Sequence, residues 1–131
     1  MLKNLMIAAV AASTIGTTLQ ADNYLCIPDQ VTGFYFDGSK WRRTDFTTDS
    51  KWLIDITDGQ ASVSRIGDNA PTFHTQDCKI YFDISVECSL IGEFKMGIQE
   101  GRYMRTYTGG YTGGDRTEHT PLIEIGRCSP L

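Results

Sequence analysis

The sequence predicts an all-β domain, a small antiparallel barrel or sandwich of about eight strands stapled by disulfides. Three observations carry the prediction. Apolar residues alternate with polar ones over long stretches, most clearly from Cys78 to Leu90 and from Glu93 to Ile98, which is the period of a strand with one buried face. Three acid–glycine pairs, Asp37-Gly38, Asp58-Gly59 and Glu100-Gly101, separate such runs and mark reversals, where glycine supplies left-handed backbone. Beyond residue 21 no long stretch carries helical periodicity. A closed barrel is the favoured form, because closure removes exposed strand edges.

Residues 1–21 read as a leader outside the domain. Lys3 is a short positive segment, and Leu5 to Ala12 is an apolar run of signal-peptide length, too short to span a bilayer. Leu19-Gln20-Ala21 looks like a cleavage site, so the mature domain is expected to begin at Asp22 and to occupy residues 22–131. All four cysteines lie within it. An even number in an exported chain reads as two disulfides, and the expected location is periplasmic or secreted. Loss of Lys3 leaves 11 of the 12 basic residues against 16 acidic ones, moving the net charge from −4 to −5. That balance argues against nucleic acid and anionic membrane surfaces as partners. No membrane insertion is expected after leader cleavage.

Taken in order, Tyr24 to Ile27 opens the domain and Pro28 interrupts it. Thr32 to Phe36 forms a first strand, Asp37-Gly38 turns it, and Lys40 to Phe46 returns as a partly buried strand, an edge candidate. Trp52, Ile54 and Ile56 share a face of the next strand, and Ala61 to Ile66 comes back through Val63 after Asp58-Gly59. Gly67 to Asp77 is polar and reads as a surface loop. Cys78 to Leu90 follows as one long alternating segment, Phe94, Met96 and Ile98 share a face, and Arg102 to Tyr107 runs back after Glu100-Gly101. Tyr107 to Glu118 holds four glycines and no apolar aliphatic side chain, so it reads as a loop bearing tyrosines. Leu122 to Cys128 is the last strand, with Ile123 and Ile125 on one face.

Four cysteines allow three pairings. Cys26 and Cys128 sit at the two ends of the domain, where a bridge would clamp terminal strands, leaving Cys78 with Cys88. Against this stands the alternation itself. In one straight strand Cys78 and Cys88 would lie about 33 Å apart, and no Gly or Pro marks a reversal near Asp83. A Cys26–Cys88 bridge therefore stays open.

Catalytic chemistry finds little support. The two histidines, His74 and His119, sit in polar loops, no G-x-S-x-G pattern occurs, and cysteines paired in disulfides make poor nucleophiles. An acid pair for glycoside hydrolysis is not singled out among the acids. Neither a metal nor a cofactor is expected. The candidate contact region is Tyr107 to Gly114, a short Tyr-Thr-Gly-Gly repeat, with Gly109, Gly110 and Tyr111 at its centre. Tyrosine offers broad amphipathic contact and glycine lets the backbone approach a partner; the competing reading is a glycine-bent corner with the tyrosines packed down. Arg102 and Arg105 on either side of Tyr103 form a second candidate patch, the competing reading being the solvent face of a strand.

Cys26-Ile27-Pro28-Asp29, Thr32-Gly33-Phe34, Trp41 and the closing Pro121-x-Ile123-Glu124-Ile125-Gly126-x-Cys128-Ser129 resemble a set of small, exported, uncharacterised proteins of Gram-negative bacteria and their phages, a resemblance that implies no activity. Tyr24-Leu25-Cys26, the late Cys128 and Gly101-Arg102-Tyr103 are similar to the periplasmic and membrane-bound inhibitors of C-type lysozyme, although the serine-rich segment of that family's inhibitory loop is missing. That likeness implies a small barrel and contacts by Arg102 and Tyr103. The expected function is a non-catalytic exported binding protein meeting a protein partner, an inhibitor of a cell-wall enzyme being one form. The alternatives are an assembly component of the envelope or a phage particle, and a hydrolase with an unrecognised acid pair.

Overall fold

The structure is a computed structural model that describes residues 22–67, 73–90, 92–114 and 120–131. The expected leader with its cleavage site, and His119, lie outside those residues. Ten strands are described: β1 Asp22–Phe36, β2 Trp41–Phe46, β3 Lys51–Thr57, β4 Gln60–Ile66, β5 His74–Thr75, β6 Cys78–Tyr81, β7 Ser85–Ser89, β8 Glu93–Gly97, β9 Arg102–Tyr107 and β10 Leu122–Pro130. All their pairings are antiparallel. They lie in the order β5-β4-β3-β1-β10-β9-β8-β7-β6, with β2 paired to β1. Because β4 also lies against β6, nine strands form a nearly closed barrel. The all-β barrel prediction holds.

Two segments differ from the sequence reading. Pro28 does not interrupt the first strand. It sits at a register shift between Pro28 and Gln30, a bulge where a missing N–H costs no ladder bond and the strand can bend. The bend lets β1 serve two neighbours on one edge: Asp22 to Cys26 pair with β3, and Val31 to Phe36 pair with β2. Nor is Cys78 to Leu90 one strand. It folds back at 82–84, with Phe82 at φ 50° and Asp83 at φ 55°, and the Ile84 N–H donates to the Tyr81 carbonyl at 2.8 Å. This reversal brings Cys78 directly opposite Cys88. The disulfides are Cys26–Cys128 and Cys78–Cys88, and no described cysteine is free. Each joins opposed residues of adjacent strands, and two such bonds mark a chain that matures in an oxidising compartment. His74 and Thr75, read as loop, add a short strand to β4.

The inward phase of each strand fills the barrel. Trp52, Ile54, Val63, Val86, Phe94 and Met96 are all buried. In β10 the phase is the reverse of a simple hydrophobic reading. Ile123 and Ile125 do share a face, but it is the outer one, 49 % and 45 % exposed, while Glu124, Gly126 and Cys128 point inward. Gly126 is required there, since a Cβ would strike the Tyr103 ring and the Ile27 carbonyl.

The registers give the barrel two distinct ends. The lower end carries the turns at 58–59, 82–84 and 98–101. At the upper end β3 and β10 begin and β4 and β9 finish. The β1–β2 hairpin continues past the last β1–β10 pair, Gly33 with Leu122, and so rises above the upper rim.

Candidate functional site

The upper end holds a cavity of about 400 Å³, within the size range of small-molecule sites. Its chemistry starts from Glu124, 2 % exposed. A carboxylate taken out of water must find donors in the protein. Trp52 Nε1 donates to Glu124 Oε1 at 2.7 Å, the Tyr103 hydroxyl donates to the same oxygen at 2.6 Å, and Arg105 Nη2 donates to Oε2 at 3.3 Å. Each donor is positioned by its strand. Arg105 is the direct cross-strand partner of Glu124, Tyr103 lies two residues along β9 on the same face, and Trp52 is the second residue of β3. Aromatic packing fixes the group further. The Arg105 guanidinium carbon lies 4.7 Å from the Trp52 ring centroid, Tyr103 stacks on Phe94 at 5.2 Å, and Phe94 meets Trp52 at 5.9 Å.

Burial, then the hydrogen bond to Glu124 and its charge, hold the Tyr103 hydroxyl far above the ordinary tyrosine range, so it stays a donor. Arg65 stands across the cavity. Its Nε and Nη2 donate to Ser50 Oγ at 2.9 and 2.6 Å. Burial first, and then the like charge of Arg105, lower its pKa from the ordinary arginine value, against the pull of Glu124 and Asp49.

Above this cavity the rim is aromatic. Tyr111 opens a single 3-10 turn, Tyr111–Gly113, whose flanks Gly110 and Gly114 take φ of 86° and 85°, conformations that suit glycine. Tyr111 is 53 % exposed, yet its ring meets Trp41 edge-on at 5.1 Å, and Trp41 meets Phe36 at 5.7 Å. The loop is thereby tied to the raised hairpin. The hairpin's own turn is set by Asp37, which accepts from the Ser39 and Lys40 N–H groups and pairs with Arg42. Those contacts, Arg42 first, hold its carboxyl well below the usual range.

The predicted contact residues do not form one site. Gly109, Gly110 and Tyr111 lie at the upper rim, whereas Arg102 begins β9 at the lower end, opposite Gly97 and Arg127. Tyr103 is corrected from surface contact to interior residue: it is 4 % exposed and its hydroxyl belongs to Glu124. Tyr107 is half-buried and borders the cavity. His74 is exposed, with Nδ1 2.8 Å from the Ser64 hydroxyl. No group of three or more His, Cys, Asp or Glu side chains suited to a metal occurs among the described residues, and no described helix is long and apolar enough to cross a membrane.

The residues missed by sequence reasoning are Glu124, Trp52 and Arg65, and Arg105, read as a surface charge beside Tyr103, is instead paired with the buried Glu124. One signal was present. A bridged Cys128 must face its partner strand's bonded residue, and Glu124 and Gly126 share its phase; the disulfide therefore points Glu124 inward. Comparison of the chain with protein-family models, with curated proteins and with solved structures finds no match.

Proposed function

We propose that the chain is an exported, non-catalytic binding protein of the periplasm or the exterior, meeting a protein partner through its upper rim. The observation that carries this reading is Tyr111, exposed over half its surface yet held against Trp41. An aromatic side chain ordered before contact brings large area at low entropic cost. The sole carboxylate among the described cavity residues, Glu124, is engaged on both oxygens, which favours a structural acceptor over half of an acid pair. Inhibition of a cell-wall enzyme is the specific form we favour. The interior place of Tyr103 removes the second candidate patch and leaves the rim around Tyr111 as the contact surface we favour.

The test is capture from a periplasmic extract by the oxidised protein, with Tyr111→Ala as control. The expected result is one stoichiometric protein partner retained by the wild type and lost by the variant. Tyr111→Ala should cost only about 1 kcal/mol, the worth of a surface ring contact. A cost near 3 kcal/mol, typical of a buried aromatic, or equal capture by both proteins, would overturn the rim as the contact surface. A large self-assembly in solution, with nothing captured, would favour the assembly-component reading instead.

A further inference from the structure

The cavity beneath the rim carries a second inference, independent of the rim contact. Its charges do not balance. Two guanidinium groups, Arg65 and Arg105, border it, and Glu124 is its one carboxylate among the described residues. Arg105 and Glu124 neutralise each other across the β9–β10 pair. Arg65 is left over. Among the described residues it reaches no carboxylate within ion-pair distance, and its hydrogen-bond acceptor is the neutral hydroxyl of Ser50, itself 3 % exposed. Arg105 Nε adds a buried donor with no acceptor among the described residues. A buried N–H without a partner costs free energy, and a guanidinium whose acceptor is a neutral hydroxyl still lacks the charged acceptor that a carboxylate supplies.

The rest of the wall is of the opposite character. Phe46, Phe73, Leu90 and Leu122 line it together with the Trp52 ring. A cavity that is apolar over most of its surface and cationic at one place selects a ligand with both properties. Inorganic anions would meet the guanidinium but leave the apolar wall uncovered. A neutral apolar molecule would cover the wall but leave Arg65 without its counter-charge.

We propose that the barrel mouth is a binding site for a small amphipathic carboxylate, with its head on Arg65 and its apolar body against Phe46, Phe73, Leu90 and Trp52. The step is binding alone; no bond is made or broken. The Glu124 group forms the fixed floor, since its hydrogen bonds hold Trp52 and Arg105 in place.

The probes are decanoate, 1-decanol and decyltrimethylammonium, titrated calorimetrically into the oxidised full-length mature protein. Decanoate should bind with one site per chain and at least ~10-fold more tightly than decanol, as a charge-assisted contact provides. Decyltrimethylammonium should bind no better than decanol. In Arg65→Met the preference for decanoate should vanish while decanol binding persists. Equal affinity for decanoate and decanol, a preference for the cation, or an undiminished carboxylate preference in Arg65→Met would each overturn the proposal. Should the variant not fold, the wild type still decides. Decanoate at saturation should shift the Trp52 indole N–H resonance, and a binding isotherm that leaves this resonance unmoved places the ligand elsewhere and overturns the site.

Discussion

Burial of Glu124 sets the chemistry of its neighbours, Tyr103 most of all. A neutral tyrosine hydroxyl donating to a carboxylate is worth roughly 1.5–3 kcal/mol, so Tyr103→Phe should destabilise the fold by about that amount at pH 8. The pH dependence is more specific. Tyr103 has a folded pKa raised above its unfolded value, which lies near 10. Its contribution is therefore complete below about pH 10 and is lost as pH rises further, because the unfolded chain then releases a proton that the folded chain retains. Urea denaturation at pH 8, 10 and 11 should show the gap between wild type and Tyr103→Phe narrowing by about 1.4 kcal/mol per pH unit above 10. A constant gap would mean that Tyr103 ionises as freely in the fold as in the open chain. At this scale the sequence was legible wherever hydrophobicity and phase agree, as in Trp52, Ile54 and Val63. It misled where the inward residue is charged: in Ile123-Glu124-Ile125 the apolar side chains face out, and hydropathy alone cannot recognise a carboxylate whose donors come from two other strands.

Among the elements, the β6–β7 hairpin shows why a reversal escapes a periodicity argument. Ile80 and Val86 are directly opposed across it. They are an even number of residues apart, so the alternation passes through the turn with its phase unbroken. A hairpin and a long strand give the same pattern unless the turn residues announce themselves, and here they do not. Asp83 tolerates left-handed backbone, but a bulky residue such as Phe82 is rarely found there. The three acid–glycine turns were readable because their glycines take φ of 96°, 74° and 61°. Phe82 spends conformational energy without recovering it by burial, since its side chain is 90 % exposed. Left-handed backbone costs an L-residue about 1–2 kcal/mol, less for Asn. Phe82→Asn should accordingly raise stability by about 1 kcal/mol and the melting temperature by a few degrees. A fall in melting temperature would show that the exposed ring, and not the backbone, controls the turn.

For the molecule as a whole, the pairing of the first strand with the last joins two runs of strands into the one sheet that the β4–β6 contact then nearly closes. β1 with β2, β3 with β4, and β6 through β9 pair across short reversals, but β1 and β10 meet only after the entire domain has been traversed, and such non-local pairing carries the largest loop-closure cost. Cys26–Cys128 sits on this seam and Cys78–Cys88 does not. The first bridge closes a separation of 102 residues and the second one of 10. On the chain-entropy account they stabilise by about 4.7 and about 3 kcal/mol, through the unfolded state. Against a total of roughly 5–15 kcal/mol for a domain, loss of the seam bridge should leave the fold marginal, whereas loss of the hairpin bridge should leave a folded barrel with a weaker edge. Urea denaturation of the two double variants, Cys26→Ala/Cys128→Ala and Cys78→Ala/Cys88→Ala, measures both costs directly. The expected order is a lower midpoint for the seam variant, with the hairpin variant keeping the wild-type slope because the same surface is still exposed on unfolding. The opposite order would mean that the seam is held by its strand pairing and the buried Glu124 group without covalent help. It would also make the β6–β7 edge, where the barrel nearly closes on β4, the true limit on the stability of the fold.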